Sequence, residues 1–207
     1  MTPDQKIVFY GFPPSGHSHR AELMLSLLDL PYEFRHVDLR AGAQKRPEFL
    51  TLNPFHTVPV IKDGDIVIAD SVAILVYLAS RYDPARRWLP TDPVIAAQIQ
   101  RWLSVAQGPV FNGPALARLI KLFGGPLDYA RTVAVSNTLL PVLEQTLSRS
   151  PFLVGEAATL ADVAVYSYVA RAPEGEISLE PYHALRAWLG RVEALPRFLA
   201  MPVSQQA

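Results

Sequence analysis

Two short apolar segments, Val58 to Ile61 and Ile66 to Ile68, flank Asp63-Gly64, and this pairing constrains the fold more than any other feature of the chain. Asp-Gly between apolar runs marks a tight hairpin, because its glycine accepts the positive φ that such a turn needs, so the two strands are expected to be antiparallel. The proline in Thr57-Val58-Pro59-Val60 deletes a ladder donor at the head of the first strand and therefore needs a reason. If the Val58-Pro59 peptide is cis, the turn exposes the Val58 backbone N–H and C=O at the strand edge, where an extended peptide can pair as an extra strand. Directly after the hairpin, Asp70-Ser71 open a helix whose apolar stripe is Val72, Leu75, Val76 and Ala79, ending near Tyr82-Asp83-Pro84.

Upstream, Lys6 to Tyr10 reads as a strand, Gly11-Phe12-Pro13-Pro14-Ser15-Gly16 as a turn, and the stretch from His17 to Pro31 as a helix with apolar positions Ala21, Met24, Leu25 and Leu28. Tyr32 to Val37 is a second strand, which makes a right-handed crossover and a parallel pair with the first. Gln44 to Leu52 reads as a short helix stopped by Asn53-Pro54. The order is β-α-β-α-β-β-α. Beyond Pro84 the composition changes, and helical patterns follow at Ile95 to Gln107, Asn112 to Phe123, Leu127 to Ser148, Leu160 to Arg171 and Tyr182 to Glu193. The expected fold class is α/β plus all-α: a domain over residues 1–82, a linker over 83–92 and a helical bundle over 93–207.

Nineteen basic and nineteen acidic residues cancel, so the chain lacks the electrostatic footprint of a protein that binds nucleic acid or an anionic membrane. No apolar run approaches a membrane span and the N-terminus lacks the pattern of a secretory signal, so a cytoplasmic location is expected. There is no cysteine, so any thiol chemistry must use a thiol brought by a ligand.

The helix start at Asp70-Ser71 offers backbone N–H groups and partial positive charge to a carboxylate, a hydroxyl from Ser71, and the Asp70 carboxylate for an ammonium group. Together these suit the zwitterionic end of an amino acid, although ordinary helix capping would use the same residues. With the β-α-β-α-β-β-α order, Asn53-Pro54, Thr57-Val58-Pro59 and Asp70-Ser71, the chain resembles the soluble glutathione transferases over essentially its whole length, in a bacterial-like, serine-type and cysteine-free form.

The resemblance implies a thioredoxin-like first domain that binds glutathione as co-substrate and a helical second domain that contributes a pocket for a hydrophobic electrophile, with no metal. It implies that Val58, held by Pro59, pairs main chain to main chain with the cysteinyl unit, and that Asp70 and Ser71 hold the γ-glutamyl end. Lys45, His56 or Thr57 would reach the glycyl carboxylate, though many relatives carry Gln in place of Thr57. Phe12, Phe111, Asn112 and Arg118 would line the electrophile pocket, with interdomain packing as the competing role. A homodimer is implied as well. Two other functions remain open: reduction of a disulfide or peroxide without a protein cysteine, and a non-catalytic glutathione-binding or scaffold role.

A free thiol has a pKa of about 8.5, so a donor that stabilises the thiolate raises its population near neutral pH. Ser15, between the first strand and first helix, stands where serine-type family members keep their catalytic hydroxyl, and it is the expected activator. Ser18, Tyr10 and His17 are its rivals, and capping is its ordinary role. Thr159-Leu160-Ala161-Asp162 is a capping-box pattern with Asp for the usual Glu, so Asp162 is expected to be structural. Trp102, Trp188, Tyr166 and Tyr168 fall on apolar helix faces and are expected to pack.

Overall fold

The computed structural model describes residues 3, 5–124 and 126–204, which form two compact units. The first comprises residues 1–86 and 196–202, the second residues 87–195 and 203–207.

The first unit is built on four strands, β1 (Ile7–Gly11), β2 (Tyr32–His36), β3 (Val60–Asp63) and β4 (Ile66–Ala69), in the order β2-β1-β3-β4. β1 pairs parallel with β2 and antiparallel with β3, and β3 pairs antiparallel with β4, Asp63 facing Ile66 across the two-residue turn Gly64-Asp65, one residue later than the Asp63-Gly64 turn expected from sequence. Gly64 takes φ 59°, as a tight turn of this kind requires. Alternation along β1 sends Ile7 and Phe9 into the core, where they are fully buried with Leu23, Met24 and Leu25 of α1 (Gly16–Leu27), Ile61 of β3, and Ile74, Leu75 and Leu78 of α3 (Ser71–Tyr82). This is the thioredoxin-like arrangement.

Three local features differ from the sequence reading. β3 begins at Val60, two residues after the expected start, because Pro59 has no N–H to give the ladder. The expected helix over 44–52 is two pieces, a 3₁₀ turn (Ala43–Lys45) and α2 (Pro47–Leu50). They are separated at Arg46, whose φ of −73° and ψ of 147° are the extended conformation that a following proline imposes. Residues 196–202 belong to the first unit: Ser26 donates its hydroxyl to Arg197 O at 2.7 Å, and His19 Nε2 lies 2.8 Å from Leu199 O.

The position of α3 on the hairpin is fixed by polar contacts as well as by its apolar stripe. Tyr77 and Tyr82 both donate to Asp63 Oδ2, at 2.6 and 2.5 Å, tying the end of β3 to one side of the helix. Since β4 runs straight into α3, this anchor also determines where the N-terminus of α3 lies.

The second unit is helical among the described residues: α4 (Pro93–Gln107), α5 (Leu116–Phe123), α6 (Tyr129–Leu147), α7 (Leu160–Ala170) and α8 (His183–Glu193). α7 is buried at every position from Leu160 to Val169, as a central helix that is apolar on all sides should be. Trp102, Trp188, Tyr166 and Tyr168 are buried here. The helix expected over 112–123 opens with a π-helical turn, Phe111–Ala115, that contains Pro114. Gly113 in that turn lies so close to α6 that an added Cβ would sit 2.8 Å from Ser136 Oγ. No helix among the described residues is long and apolar enough to cross a membrane.

Candidate active site

Three segments of the first unit converge on one end of the sheet. The β3–β4 register pairs Val60 with Ala69, and continuing it by two residues sets Pro59 opposite Asp70 and Val58 opposite Ser71. The β1–β3 register pairs Tyr10 with Val60, so its continuation brings Phe12 to Val58, and both are buried in one cluster with Val37, Phe49 and Val60. β1 leads through Phe12 into the N-terminus of α1, which carries Ser15. The hairpin register therefore juxtaposes residues that the chain separates by more than forty positions.

The Val58-Pro59 peptide is cis. The side chain of Val58 is buried, while among the described residues its N–H and C=O take no main-chain partner. The loop that delivers it is shaped by Asn53, which is 2 % exposed. Asn53 Nδ2 donates to Thr57 O at 2.8 Å and to Thr57 Oγ1 at 3.0 Å, and its Oδ1 accepts from Phe55 N at 3.0 Å. Its side-chain polar atoms are all spent on the 53–57 turn, a role the sequence marked only as a helix stop. His56 and Thr57 are exposed on this turn, His56 at φ 57°, and Lys45 is exposed in the 3₁₀ turn.

Asp70 has φ 78° and ψ 130°, a conformation rarely adopted by a residue with a side chain. Such an outlier persists only where its surroundings enforce it, and it is a marker of functional positions. Asp70 Oδ1 accepts from Val72 N at 2.8 Å and Ala73 N at 3.0 Å, and Asp70 O accepts from Ile74 N at 2.9 Å. Three of the four donors at the head of α3 are thereby consumed. The fourth, the Ser71 N–H, takes no main-chain or capping partner among the described residues. Ser71 thus offers an N–H and a hydroxyl at the positive end of a 12-residue helix, beside the exposed Asp70 carboxylate.

Ser15 is the N-cap of α1 and accepts from Ser18 N at 3.3 Å. Capping occupies a lone pair of the hydroxyl and leaves its hydrogen for donation, so the capping role and a role toward a thiolate are compatible. The rivals are differently disposed. Ser18 is buried and its Oγ accepts from Phe12 N at 3.1 Å. Tyr10 sits in the middle of the sheet with its ring against Phe49, at 6.4 Å between centroids. His17 Nδ1 lies 3.2 Å from Ser71 Oγ, which engages it with α3. Burial, followed by the charge of Arg20, lowers the His17 pKa to about 3, so its imidazole is neutral near pH 7.

Of the residues expected to line an electrophile pocket, Phe12 belongs to the first unit and Phe111, Asn112 and Arg118 to the second. Phe12 stacks on His36 at 5.9 Å. Asn112 is exposed and donates Nδ2 to Gly108 O at 2.9 Å. Arg118 is 3 % exposed, with its guanidinium held by Glu174 Oε2 at 2.7 Å and Ser204 Oγ at 2.6 Å. Those bonds commit its charge to the interior of the helical unit.

The model of the glutathione S-transferase N-terminal domain matches residues 14–81, and that of the C-terminal domain matches residues 129–196. Glutathione S-transferase 3 of Zea mays is 34% identical over 203 residues, covering 91% of this chain and 90% of its own length. The chain belongs to the glutathione S-transferase family. Among solved structures of the family, a glutathione S-transferase from Pseudomonas fluorescens superposes with a TM-score of 0.89 at 34% identity, covering 95% of this chain and 99% of that one. A glutathione transferase homologue from Drosophila mojavensis, solved with bound glutathione, has a TM-score of 0.82 at 32% identity and covers 92% of this chain and 89% of its own.

The family match also accounts for the convergence of α1, the Val58-Pro59 turn and the head of α3, since both helices lie within the matched N-terminal domain. Sequence reasoning missed Arg20. It lies on the α1 face turned toward α3, is 0 % exposed, and donates Nη1 to Ser71 Oγ at 3.1 Å. Its only sequence signal was position: a charged residue four before Met24, on the side of α1 that carries its apolar positions.

Proposed function

We propose that this family member is a serine-type glutathione transferase that conjugates the glutathione thiolate to an electrophilic small molecule. Glutathione lies extended along the Val58-Pro59 turn, its cysteinyl unit paired with the Val58 N–H and C=O. The Ser71 N–H and hydroxyl take the γ-glutamyl α-carboxylate, and the Asp70 carboxylate takes the α-ammonium. Lys45, His56 and Thr57 form the polar edge that meets the glycyl carboxylate. The Ser15 hydroxyl donates to the sulfur, favouring the thiolate over the thiol. The thiolate then forms a bond to an electrophilic carbon, and the leaving group departs with the electron pair of the bond it held.

The observation that carries this reading is the use of donors at α3: the main chain and the Asp70 cap consume every first-turn N–H except that of Ser71, directly across the register from Val58. An amino-acid zwitterion followed by a peptide strand matches that pattern in charge and spacing. Retention of the wild-type protein on immobilised glutathione, with elution by free glutathione, is the expected result, together with turnover of a chloro-nitro-aromatic substrate. Loss of retention would overturn the reading. Retention with turnover of disulfides and no conjugation would replace it with the reductase.

We also propose a cytoplasmic homodimer. The assembly is supported by large apolar side chains left exposed on the first unit, Phe55 at 82 % above all. Light scattering is expected to give twice the 22.9 kDa of one chain. A monomer mass at micromolar concentration would refute it.

A further inference from the structure

Buried Arg20 and Ser71, with the partly buried His17, form a polar cluster between the first turns of α1 and the head of α3. Arg20 Nη1 is 3.1 Å from Ser71 Oγ and 3.4 Å from His17 Nδ1, and His17 Nδ1 is 3.2 Å from Ser71 Oγ. A guanidinium has only donors, so it fixes the direction of each bond around it. Ser71 Oγ must accept from Arg20, and the His17 nitrogen that faces both groups must be the unprotonated one. With one lone pair of Oγ occupied by Arg20, the Ser71 hydrogen points to His17 Nδ1, whose single lone pair it shares with the longer contact from Arg20.

We propose that Arg20 is a positioning residue for the carboxylate end of glutathione, and that His17 is the resting acceptor which that carboxylate displaces. This inference rests on the γ-glutamyl site proposed at Asp70-Ser71. Arg20 does not touch the ligand. By donating to Oγ it prevents the hydroxyl from turning its oxygen toward the incoming carboxylate, and it polarises the O–H so that the hydrogen is the better donor. In the unliganded site that hydrogen rests on the neutral His17 nitrogen. When a carboxylate arrives, the hydroxyl rotates to the stronger, charged acceptor, and His17 Nδ1 retains the Arg20 N–H. Three features support this arrangement. Burial of a guanidinium is costly, so its hydrogen bonds must be specific. Ser71 is 2 % exposed, so its hydroxyl has few alternatives to these partners. The lowered pKa of His17 keeps its ring neutral near pH 7, and the donor-only Arg20 facing Nδ1 makes that nitrogen the acceptor.

The test compares glutathione with 4-aminobutyryl-cysteinyl-glycine, which lacks the α-carboxylate, for wild type, Arg20→Met and Arg20→Lys, measuring KM and kcat. Wild type is expected to prefer glutathione strongly. A wild type that does not discriminate between the two would remove the γ-glutamyl site itself, and with it the reading on which this inference rests. Given that discrimination, Arg20→Met is expected to raise KM for glutathione about ten-fold or more, the loss of one charge-assisted hydrogen bond. Its kcat stays within about two-fold, and its KM for the analogue is nearly unchanged. Arg20→Lys restores part of the difference. A penalty of equal size for both peptides would reduce Arg20 to a structural residue and overturn the proposal. Should Arg20→Met fail to fold, His17→Leu decides the question. Removal of the resting acceptor leaves the Ser71 hydrogen without its partner only in the unliganded site, so glutathione is expected to bind roughly two- to five-fold more tightly. Unchanged or weaker binding would overturn the proposal.

Discussion

Ser15→Ala is expected to lower kcat by about a hundred-fold at pH 6.5 while the protein is still retained on immobilised glutathione. The first part follows from what a single preorganised donor toward a developing or resting anion contributes, roughly two to three powers of ten in rate. The second follows from the separation of roles: Val58, Asp70 and Ser71 hold the peptide, and none of them depends on the Ser15 hydroxyl. KM for glutathione is therefore expected to change less than about three-fold, since removing an interaction that matters for the thiolate leaves the binding of the rest of the molecule in place. A pH series makes the cause visible. Donation to the sulfur favours the charged form and so lowers the thiol pKa. Without it the bound thiol returns toward its ordinary value of about 8.5, at which only about one per cent is thiolate at pH 6.5 and half at pH 8.5. The variant's rate is expected to climb about nine-fold from pH 6.5 to 7.5 and about fifty-fold in all by pH 8.5, while wild type stays nearly flat, so the deficit is largest at low pH. A fixed deficit at every pH would point to mispositioning. Full activity would remove Ser15 from the mechanism. Ser18→Ala is the comparison: Ser18 caps Phe12 N inside the protein, so its loss should reduce stability without moving the pH profile. Ser15→Ala will itself lose a helix cap, a cost of about 1 kcal/mol that is measured separately by thermal unfolding.

How far this site could be read from the chain differs from residue to residue, for physical reasons. The hairpin, the cis-proline turn and the capped helix were legible because each is a local device: the glycine of Asp63-Gly64 marks the hairpin, with the turn itself at Gly64-Asp65, and Asp70 caps the N–H groups of Val72 and Ala73. Fold order followed from the alternation of such signals. What the chain could not show was the donor arithmetic at α3. Whether the Ser71 N–H is used or left over depends on where Asp70 Oδ1 points, and Asp70 at φ 78° is a choice imposed by the surrounding fold. Arg20 was invisible for a related reason. Arginine in a helix reads as a solvated charge by default, and its burial against Ser71 exists only once α1 and α3 are packed on the same sheet. Asn53 was recognised as a stop signal, but a buried amide with three bonds to its own turn is a tertiary property. Arg118 is the converse case: a cation on a helix near the expected pocket is legible in sequence, whereas its pairing with Glu174, fifty-six residues away, is not.

Asp162→Ala is expected to lower the first unfolding transition by roughly 8 to 16 °C, the largest stability effect of any single substitution considered for this chain. Asp162 is fully buried near the start of α7 and serves three segments at once. Its Oδ1 accepts from Leu153 N at 2.9 Å and from Trp188 Nε1 at 2.8 Å, and its Oδ2 accepts from Thr159 N at 2.9 Å. Thr159 completes the capping box by accepting from Ala161 N at 3.3 Å. Burial raises the carboxyl pKa above its ordinary value, and the hydrogen bonds from Leu153, Thr159 and Trp188 oppose that rise without cancelling it. Alanine would strand three buried N–H groups. Each unsatisfied donor costs about 1–3 kcal/mol, so the total is expected near 4 kcal/mol, a large fraction of the 5–15 kcal/mol by which proteins of this size are stable. At about 2–4 °C per kcal/mol for a chain of this length, that gives the stated shift. Asp162→Asn is the graded control. An amide keeps one acceptor but turns its NH₂ toward at least one of the three donors, so it should fall between wild type and alanine. Because Asp162 belongs to the second unit and the proposed glutathione contacts belong to the first, whatever fraction of the variant is folded should keep its affinity for glutathione. Calorimetry with and without glutathione checks both statements. A Tm unchanged by Asp162→Ala would show that the N–H groups find water or other partners, and that the box is dispensable to the helical unit.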